Sequence, residues 1–209
     1  MKGILGLLHP APKVEPGPEK HDSTMFTTAF ADAGLDPTLL VPWEARAVEI
    51  GATRLSPARG TKMLQDLWSQ DRYMHRLDGQ AIGRLERFIE FACAQSGRDI
   101  IRQDEYGNFM VVLLSGNIAV DRIQPWGERL RLAEVAPGEV LGEMSLLDSG
   151  RRFSVCTTLQ DCEVGVLSAR AMDEMLSTEP SLAASLIALL ARKLSLRLRV
   201  VSARLSDKK

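Results

Sequence analysis

Gly142-Glu143-Met144-Ser145-Leu146-Leu147, followed by Arg152, places a glycine, a carboxylate and a guanidinium close together in the chain. Glycine lets the backbone approach a ligand without Cβ interference. The N–H groups that open a short helix direct their positive ends at an anion. Arg152 offers a planar fork of donors suited to a phosphate, and Glu143, acceptor-only when ionised, suits the hydroxyls of a sugar. These residue types in this order would hold a sugar phosphate, reading phosphate and sugar side by side. A surface turn with a solvated ion pair would contain the same residues, so the flanking sequence has to decide.

Before the segment the chain reads Val135-Ala136-Pro137-Gly138-Glu139-Val140-Leu141. After it comes Phe153-Ser154-Val155-Cys156-Thr157-Thr158, then Cys162-Glu163-Val164-Gly165-Val166-Leu167-Ser168. Upstream, Gly97 to Gly116 contains Tyr106-Gly107-Asn108-Phe109 and the apolar run Met110–Leu114. Over roughly residues 65–205 this pattern resembles the cyclic nucleotide-binding domain family, in its catabolite-activator and kinase-regulatory branches. In that family a Pro-Gly turn leads into the phosphate-binding cassette, and Arg-x-x-x-Val/Cys opens the next strand.

The resemblance implies roles for individual residues. Glu143 accepts from the ribose 2′-hydroxyl, Gly142 with the backbone N–H groups of Met144 and Ser145 cradles the cyclic phosphate, and Arg152 pairs with its exocyclic oxygens. The implied ligand is cAMP or cGMP, with cyclic di-GMP as another nucleotide for the same fold. No separate cofactor is implied. Phe153 stands where relatives carry a hydroxyl residue or alanine, and it either crowds the pocket or stacks over it. Ser154 supplies a hydroxyl one position late, although strand alternation would turn it to the other side. Counting along the last helix from Pro180 puts Arg197 at the base position, to stack on a purine, to bond a guanine carbonyl, or to remain solvated.

The chemistry expected is binding, not turnover. The three histidines, His9, His21 and His75, all precede the strand-rich region, so neither a general base nor the strand-borne histidines of a metal-dependent barrel enzyme stand near the site. No metal site is expected. A net charge of −1 carries no electrostatic footprint for nucleic acid. Met1–Leu8 is a short apolar run broken by Pro10, without the cleavage pattern of a secretory signal. No stretch is long enough to span a bilayer. Cys93, Cys156 and Cys162 form no CxxC pair and read as small buried hydrophobes in a reducing cytoplasm.

Several elements must position these residues. Residues 1–60 read as a disordered or partly helical extension: a proline-rich tail to about residue 24, then a short amphipathic helix at Pro42–Gly51. Residues 61–209 form the binding unit. Helices are expected at Thr61–Gln70 and Gly79–Ile89, the latter with Ile82, Leu85, Phe88 and Ile89 on one face. Short alternating runs punctuated by Gly107-Asn108, Ser115-Gly116-Asn117, Pro137-Gly138 and Ser149-Gly150 follow over residues 90–167. They predict an α+β, mainly β fold whose centre is an eight-stranded jelly-roll β-barrel. Val111–Leu114 and Val164–Leu167 read as buried strands, Arg129–Leu132 as a half-exposed one.

Helices return over residues 168–206. Ser168 is a good N-cap, and a long helix starts near Pro180. Its stripe Ile187, Leu190, Leu194, Leu198, Val201 and Leu205 runs for about 25 residues, or about 38 Å. That outruns the barrel and predicts a homodimer through this helix. The basic residues Arg192, Lys193, Arg197, Arg199, Arg204, Lys208 and Lys209 read as a solvated helix face or, alternatively, as a surface for an anionic partner. The sequence ends at Lys209, so no helix-turn-helix DNA module is expected after the stripe. The function expected is a cytoplasmic cyclic nucleotide sensor acting on an unidentified downstream protein. The alternative is a degenerate fold serving as an interaction or dimerisation module.

Overall fold

The structure is a computed structural model that describes residues 24–206. The tail before Thr24, His9, His21 and the Met1–Leu8 run lie outside the described residues, as do Lys208, Lys209 and the side chains of Arg204 and Leu205.

The chain begins with α1 (Met25–Asp32), β1 (Leu40–Val41), α2 (Trp43–Ile50), β2 (Thr53–Arg54), α3 (Pro57–Gln70) and α4 (Gly79–Leu85). Local chemistry sets the ends of these helices. Pro42 enters α2, and Gly51, at φ +65°, closes it in the left-handed conformation that glycine tolerates. Pro57 occupies the first turn of α3. Asp78 caps α4 by accepting from the Ala81 N–H. The helix expected over Gly79–Ile89 stops at Leu85 and tightens into a 3-10 turn at Glu86–Phe88.

Nine strands follow: β3 (Glu90–Ala94), β4 (Asp99–Ile101), β5 (Tyr106–Gly107), β6 (Phe109–Ser115), β7 (Ile118–Ile123), β8 (Arg129–Val135), β9 (Val140–Leu141), β10 (Val155–Thr158) and β11 (Cys162–Ser168). Between β9 and β10 stands the short helix α5 (Glu143–Asp148), and α6 (Ala169–Thr178) and α7 (Pro180–Ser206) end the fold. One sheet has the order β2-β3-β11-β6-β9, the facing sheet β4-β10-β7-β8, and β1 pairs in parallel with β5.

The architecture is the expected eight-stranded jelly roll, with one correction: eight of the strands between residues 90 and 168 form the two facing sheets and β5 pairs with β1 outside them, but the sheets do not close into a barrel. Between β8 and β9 the chain turns away through Pro137-Gly138, and β9 pairs with β6 over only two residues. No ladder therefore bridges the sheets on the side where α5 and the site lie.

Strand β6 shows how the two cores divide. Phe109, Val111 and Leu113 face the space between the sheets, with Ile101, Leu141 and Val166. Met110, Val112 and Leu114 face α3, α4, α6 and α7, with Trp68, Leu85, Met172 and Leu186. Both faces of β6 are covered, so its sequence shows no polar alternation. Strand β8, at the edge, is exposed on both faces until Val135; it was expected to be half-exposed.

Residues 25–55 pack on this body. Phe26 and Phe30 of α1 are buried, and Asp173 of α6 accepts from the N–H groups of Phe26 and Thr27 at 2.8 and 2.9 Å, capping α1 from a distant element. Trp43 and Ile50 of α2 join the core between the sheets. Ser168 caps α6 through its hydroxyl, as expected. In α7 the first half buries Leu182, Ala183, Leu186, Leu189 and Leu190, whereas Leu198, Val200 and Val201 are exposed.

Candidate functional site

Arg152 lies in the bend between α5 and β10. Its backbone N–H donates to Glu105 O at 2.8 Å and its carbonyl accepts from Asp104 N–H at 2.8 Å, so the residue is clamped to the chain before β5. The side chain is 3% exposed. Nη1 donates to Gly142 O at 2.7 Å and Nη2 to Phe109 O at 2.6 Å. The guanidinium carbon sits 4.6 Å from the centre of the Phe109 ring. Among the described residues no carboxylate lies within ion-pair distance of Arg152. Burial pushes its pKa down to about 10, so it stays charged at neutral pH but is poorly solvated.

Two glycines make room for that guanidinium. A Cβ on Gly142 would stand 2.5 Å from Arg152 Nη1, and Gly142 also adopts φ +75° as it enters α5. A Cβ on Gly107 would stand 2.6 Å from both Nε and Nη2. The next residues follow from α5: Glu143 and Ser145 turn inward and are buried, while Met144 is exposed. The first amides of α5 have no acceptor within the helix, as at any helix start.

Glu143 is 5% exposed. Its Oε1 accepts from Arg197 Nη1 at 2.5 Å, across from α7. Arg197 Nη2 also donates to Glu139 Oε2 at 2.9 Å and to Val140 O at 3.2 Å. Burial raises the Glu143 carboxyl above the ordinary glutamate value, an effect that the Arg197 charge opposes without cancelling.

All eight residues singled out from sequence, Gly142, Glu143, Met144, Ser145, Arg152, Phe153, Ser154 and Arg197, line one cavity of about 640 Å³. That volume suits a small-molecule ligand. Its remaining wall is largely apolar, from Ile101, Leu132, Val135, Leu141, Leu196 and Val200. Phe153 is exposed at this cavity with Arg122 stacked 4.8 Å from its ring centre. Ser154 lines the same cavity as Phe153, against the expectation from strand alternation, because β10 begins only at Val155.

The basic face of α7 is not simply solvated. Lys193 lies 2.9 Å from Asp71 Oδ2, Arg197 is held as described, and Arg192 stacks on Tyr73 at 5.1 Å. Cys156 is buried with its thiol pushed up to about 12, which makes it inert, and Cys162 is also buried; Cys93 is only partly so.

Sequence reasoning missed Phe109, Gly107, Glu139 and Trp43 as parts of the site. Phe109 and Gly107 looked like a strand start and a turn glycine, and no local spacing tied them to Arg152. Trp43 Nε1 donates to Glu90 Oε1 at 3.0 Å, and its ring meets Phe109 edge-on.

Residues 94–179 match the family described as the cyclic nucleotide-binding domain. The chain is 35% identical over 120 residues to the cyclic AMP receptor protein of Thermus thermophilus, covering 57% of this chain and 56% of that one. It thus spans about half the length of the curated relatives it matches. A crystal structure of a cyclic nucleotide-binding domain from Methylobacillus flagellatus superposes with a TM-score of 0.68 at 20% identity, covering 76% of this chain and 89% of that one. The Thermus thermophilus catabolite activator protein superposes with a TM-score of 0.54 at 29% identity, covering 63% of each chain. The glycine-cradled buried arginine and the buried glutamate beside it both fall within residues 94–179, the part of this chain that matches the cyclic nucleotide-binding domain family.

Proposed function

We propose that the chain is a cyclic nucleotide sensor that binds cAMP or cGMP in the cavity between α5 and α7. The single observation that carries this reading is Arg152, a buried and charged guanidinium that donates to two carbonyls and has no carboxylate within ion-pair distance among the described residues. A cyclic phosphate entering beside it meets a desolvated cation, where charge-assisted hydrogen bonds are strongest. In this reading Glu143 accepts from the ribose 2′-hydroxyl, the Met144 and Ser145 amides and Ser154 face the phosphate, and Phe153 lies over the ligand. The 35% identity to the cyclic AMP receptor protein of Thermus thermophilus favours cAMP. Binding at residues 142–152 would shift α5 relative to α6 and α7, and a ligand that prefers one arrangement moves the population toward it.

The same proposal extends to assembly and setting. Residues 61–209 form the ligand-binding unit, and residues 40–55 of the extension brace it from behind Arg152. The exposed distal stripe of α7, Leu198 and Val201, pairs with its twin in a homodimer, and the signal passes to a downstream protein. Unpaired thiols at all three cysteines suit a reducing cytoplasm.

Titration calorimetry of the full chain with cAMP, cGMP and cyclic di-GMP tests the reading. Arg152→Ala is expected to weaken binding of the preferred ligand at least tenfold, the loss of charge-assisted contacts of roughly 1.5–3 kcal/mol. Equal affinity in the two proteins would remove Arg152 from the site. A second reading, a fold kept as an interaction module without nucleotide affinity, is favoured by one observation: the carboxylate meant for the ribose is already paired with Arg197. Absence of binding by the wild-type protein would select it.

A further inference from the structure

Behind the cavity the chain holds a second buried arginine. Arg46 of α2 lies outside residues 94–179 and is 1% exposed. Its Nη1 donates to Glu49 Oε2 at 2.5 Å and its Nη2 to Glu105 Oε2. Its Nε is buried and has no hydrogen-bond partner among the described residues. The attraction within a buried ion pair offsets its desolvation only when the remaining donors are satisfied, so this pair adds little net stability to the fold. Glu49 has a second cation, Arg102, on its Oε1. Glu105 has only Arg46 within ion-pair distance among the described residues.

The place of Glu105 in the chain gives the pair its consequence. Asp104 N–H donates to Arg152 O, and Arg152 N–H donates to Glu105 O, both at 2.8 Å. Two residues thus stand opposite one, as in a β-bulge, with Asp104 at φ +66°. The next rung of the same pairing is the bridge between Tyr106 and Arg151. Residues directly opposite across antiparallel chains have Cβ atoms about 4.5–5.5 Å apart, so a glutamate at 105 can reach an arginine at 152. Its charge already acts there: burial is the chief cause of the lowered Arg152 pKa, and the Glu105 carboxylate opposes that shift. The carboxylate is nevertheless turned to Arg46 and makes no ion pair with Arg152.

We propose that Arg46 is a positioning residue that draws the Glu105 carboxylate away from Arg152 and so keeps the Arg152 fork open for the phosphate of the nucleotide. This rests on the reading of Arg152 as the phosphate-binding residue. Glu105 and a phosphate are both anions able to use the N–H donors that remain on Arg152 beside those given to Gly142 O and Phe109 O. Without Arg46 the carboxylate is the nearer of the two, because the backbone tethers it to Arg152, and it takes the fork. A ligand then binds only the molecules whose fork is free, and its apparent dissociation constant is the intrinsic one divided by that fraction. Helix α2, from outside the matched residues, thereby sets phosphate affinity without touching the ligand.

Calorimetry with cAMP and cGMP and thermal melts on the full-chain wild type, Arg46→Met, Glu105→Gln and the double variant test the sequestration. Arg46→Met is expected to bind the preferred nucleotide at least tenfold more weakly, since a charge-assisted pair must first be broken. Adding Glu105→Gln should restore most of that loss, because the amide carries no charge with which to hold Arg152. A merely structural role for Arg46 would not be rescued in this way. In the wild-type background, where Arg46 already holds the carboxylate, Glu105→Gln should shift affinity by about twofold or less, the scatter between independent sites. Arg46→Gln, which keeps hydrogen-bond donors in the buried position without the charge, is expected to give the same pattern and takes the place of Arg46→Met if that variant does not fold. Three results would each overturn the sequestration and leave the nucleotide site standing: unchanged affinity in Arg46→Met, a loss that Glu105→Gln does not restore, or a gain from Glu105→Gln alone as large as the loss from Arg46→Met. Failure of the wild type to bind either nucleotide would overturn the sensor reading, and the sequestration with it.

Discussion

The indole of Trp43 meets the ring of Phe109 edge-on, with centroids 5.5 Å apart and planes at 65°. Phe109 in turn lies beneath the guanidinium of Arg152 and accepts Nη2 on its carbonyl. A tryptophan from outside residues 94–179 thus forms the third layer behind the arginine of the site. Below the same arginine, buried Arg46 of α2 pairs with Glu105, whose carbonyl accepts the Arg152 N–H.

Trp43→Leu keeps an apolar group in α2 but removes the edge-on contact, worth about 0.5–1.5 kcal/mol beyond its area. Cyclic nucleotide affinity is expected to fall several-fold. Ile82→Val, in the helical core away from this stack, should lower the melting temperature without changing affinity. Calorimetry and thermal melts on both variants check this, and matching affinity losses would show that the stack matters only for overall stability.

Gly107 separates fold from site. Its φ is not left-handed, so alanine is tolerated by the backbone, but the new Cβ would fall 2.6 Å from the Arg152 guanidinium. The end of a long side chain can move at small cost to the fold. Gly107→Ala is therefore expected to melt near the wild type and to bind cyclic nucleotide at least tenfold more weakly, as if the arginine contact were lost. Retained affinity would mean that Arg152 finds the phosphate from a displaced position.

The raised pKa of Glu143 makes a prediction for pH. The fold favours its neutral form, so the stability that Glu143 contributes is complete below the ordinary glutamate value of 4.5 and is lost as pH rises through its higher folded value. Glu143→Gln should melt above the wild type at neutral pH, and the gap should close as pH falls toward 4.5. A gap that is constant with pH would show that burial does not perturb this carboxyl.

The distal face of α7 predicts assembly. Leu198, Val200 and Val201 are exposed at 67%, 51% and 52%, one to two turns beyond Lys193, the last buried residue among the described side chains of the helix. Covering such a side chain fully is worth roughly 1.5–3 kcal/mol before the cost of association is subtracted. Replacing Leu198 and Val201 with glutamate should shift the mass measured by light scattering from dimer to monomer. A wild-type protein that is monomeric at micromolar concentrations would contradict the homodimer.

Much of this protein was legible in its sequence because the signals are local. Proline and glycine bound α2, serine caps α6, the run Val111–Leu114 marks a strand covered on both faces, and Gly142, Glu143 and Arg152 sit close enough in sequence to be read as one motif. What tertiary structure alone decided is which groups those residues meet. Arg152 rests on Phe109 and Gly107, Trp43 backs it from the extension, and Arg197 comes over from α7 to cover Glu143. These partners are separated from the motif by as many as 109 residues, Trp43 to Arg152. No periodicity or spacing rule reaches across such distances. Their meeting depends on how the sheets stack and where α7 crosses, since an ion pair or ring contact forms only when packing brings both partners within a few ångströms.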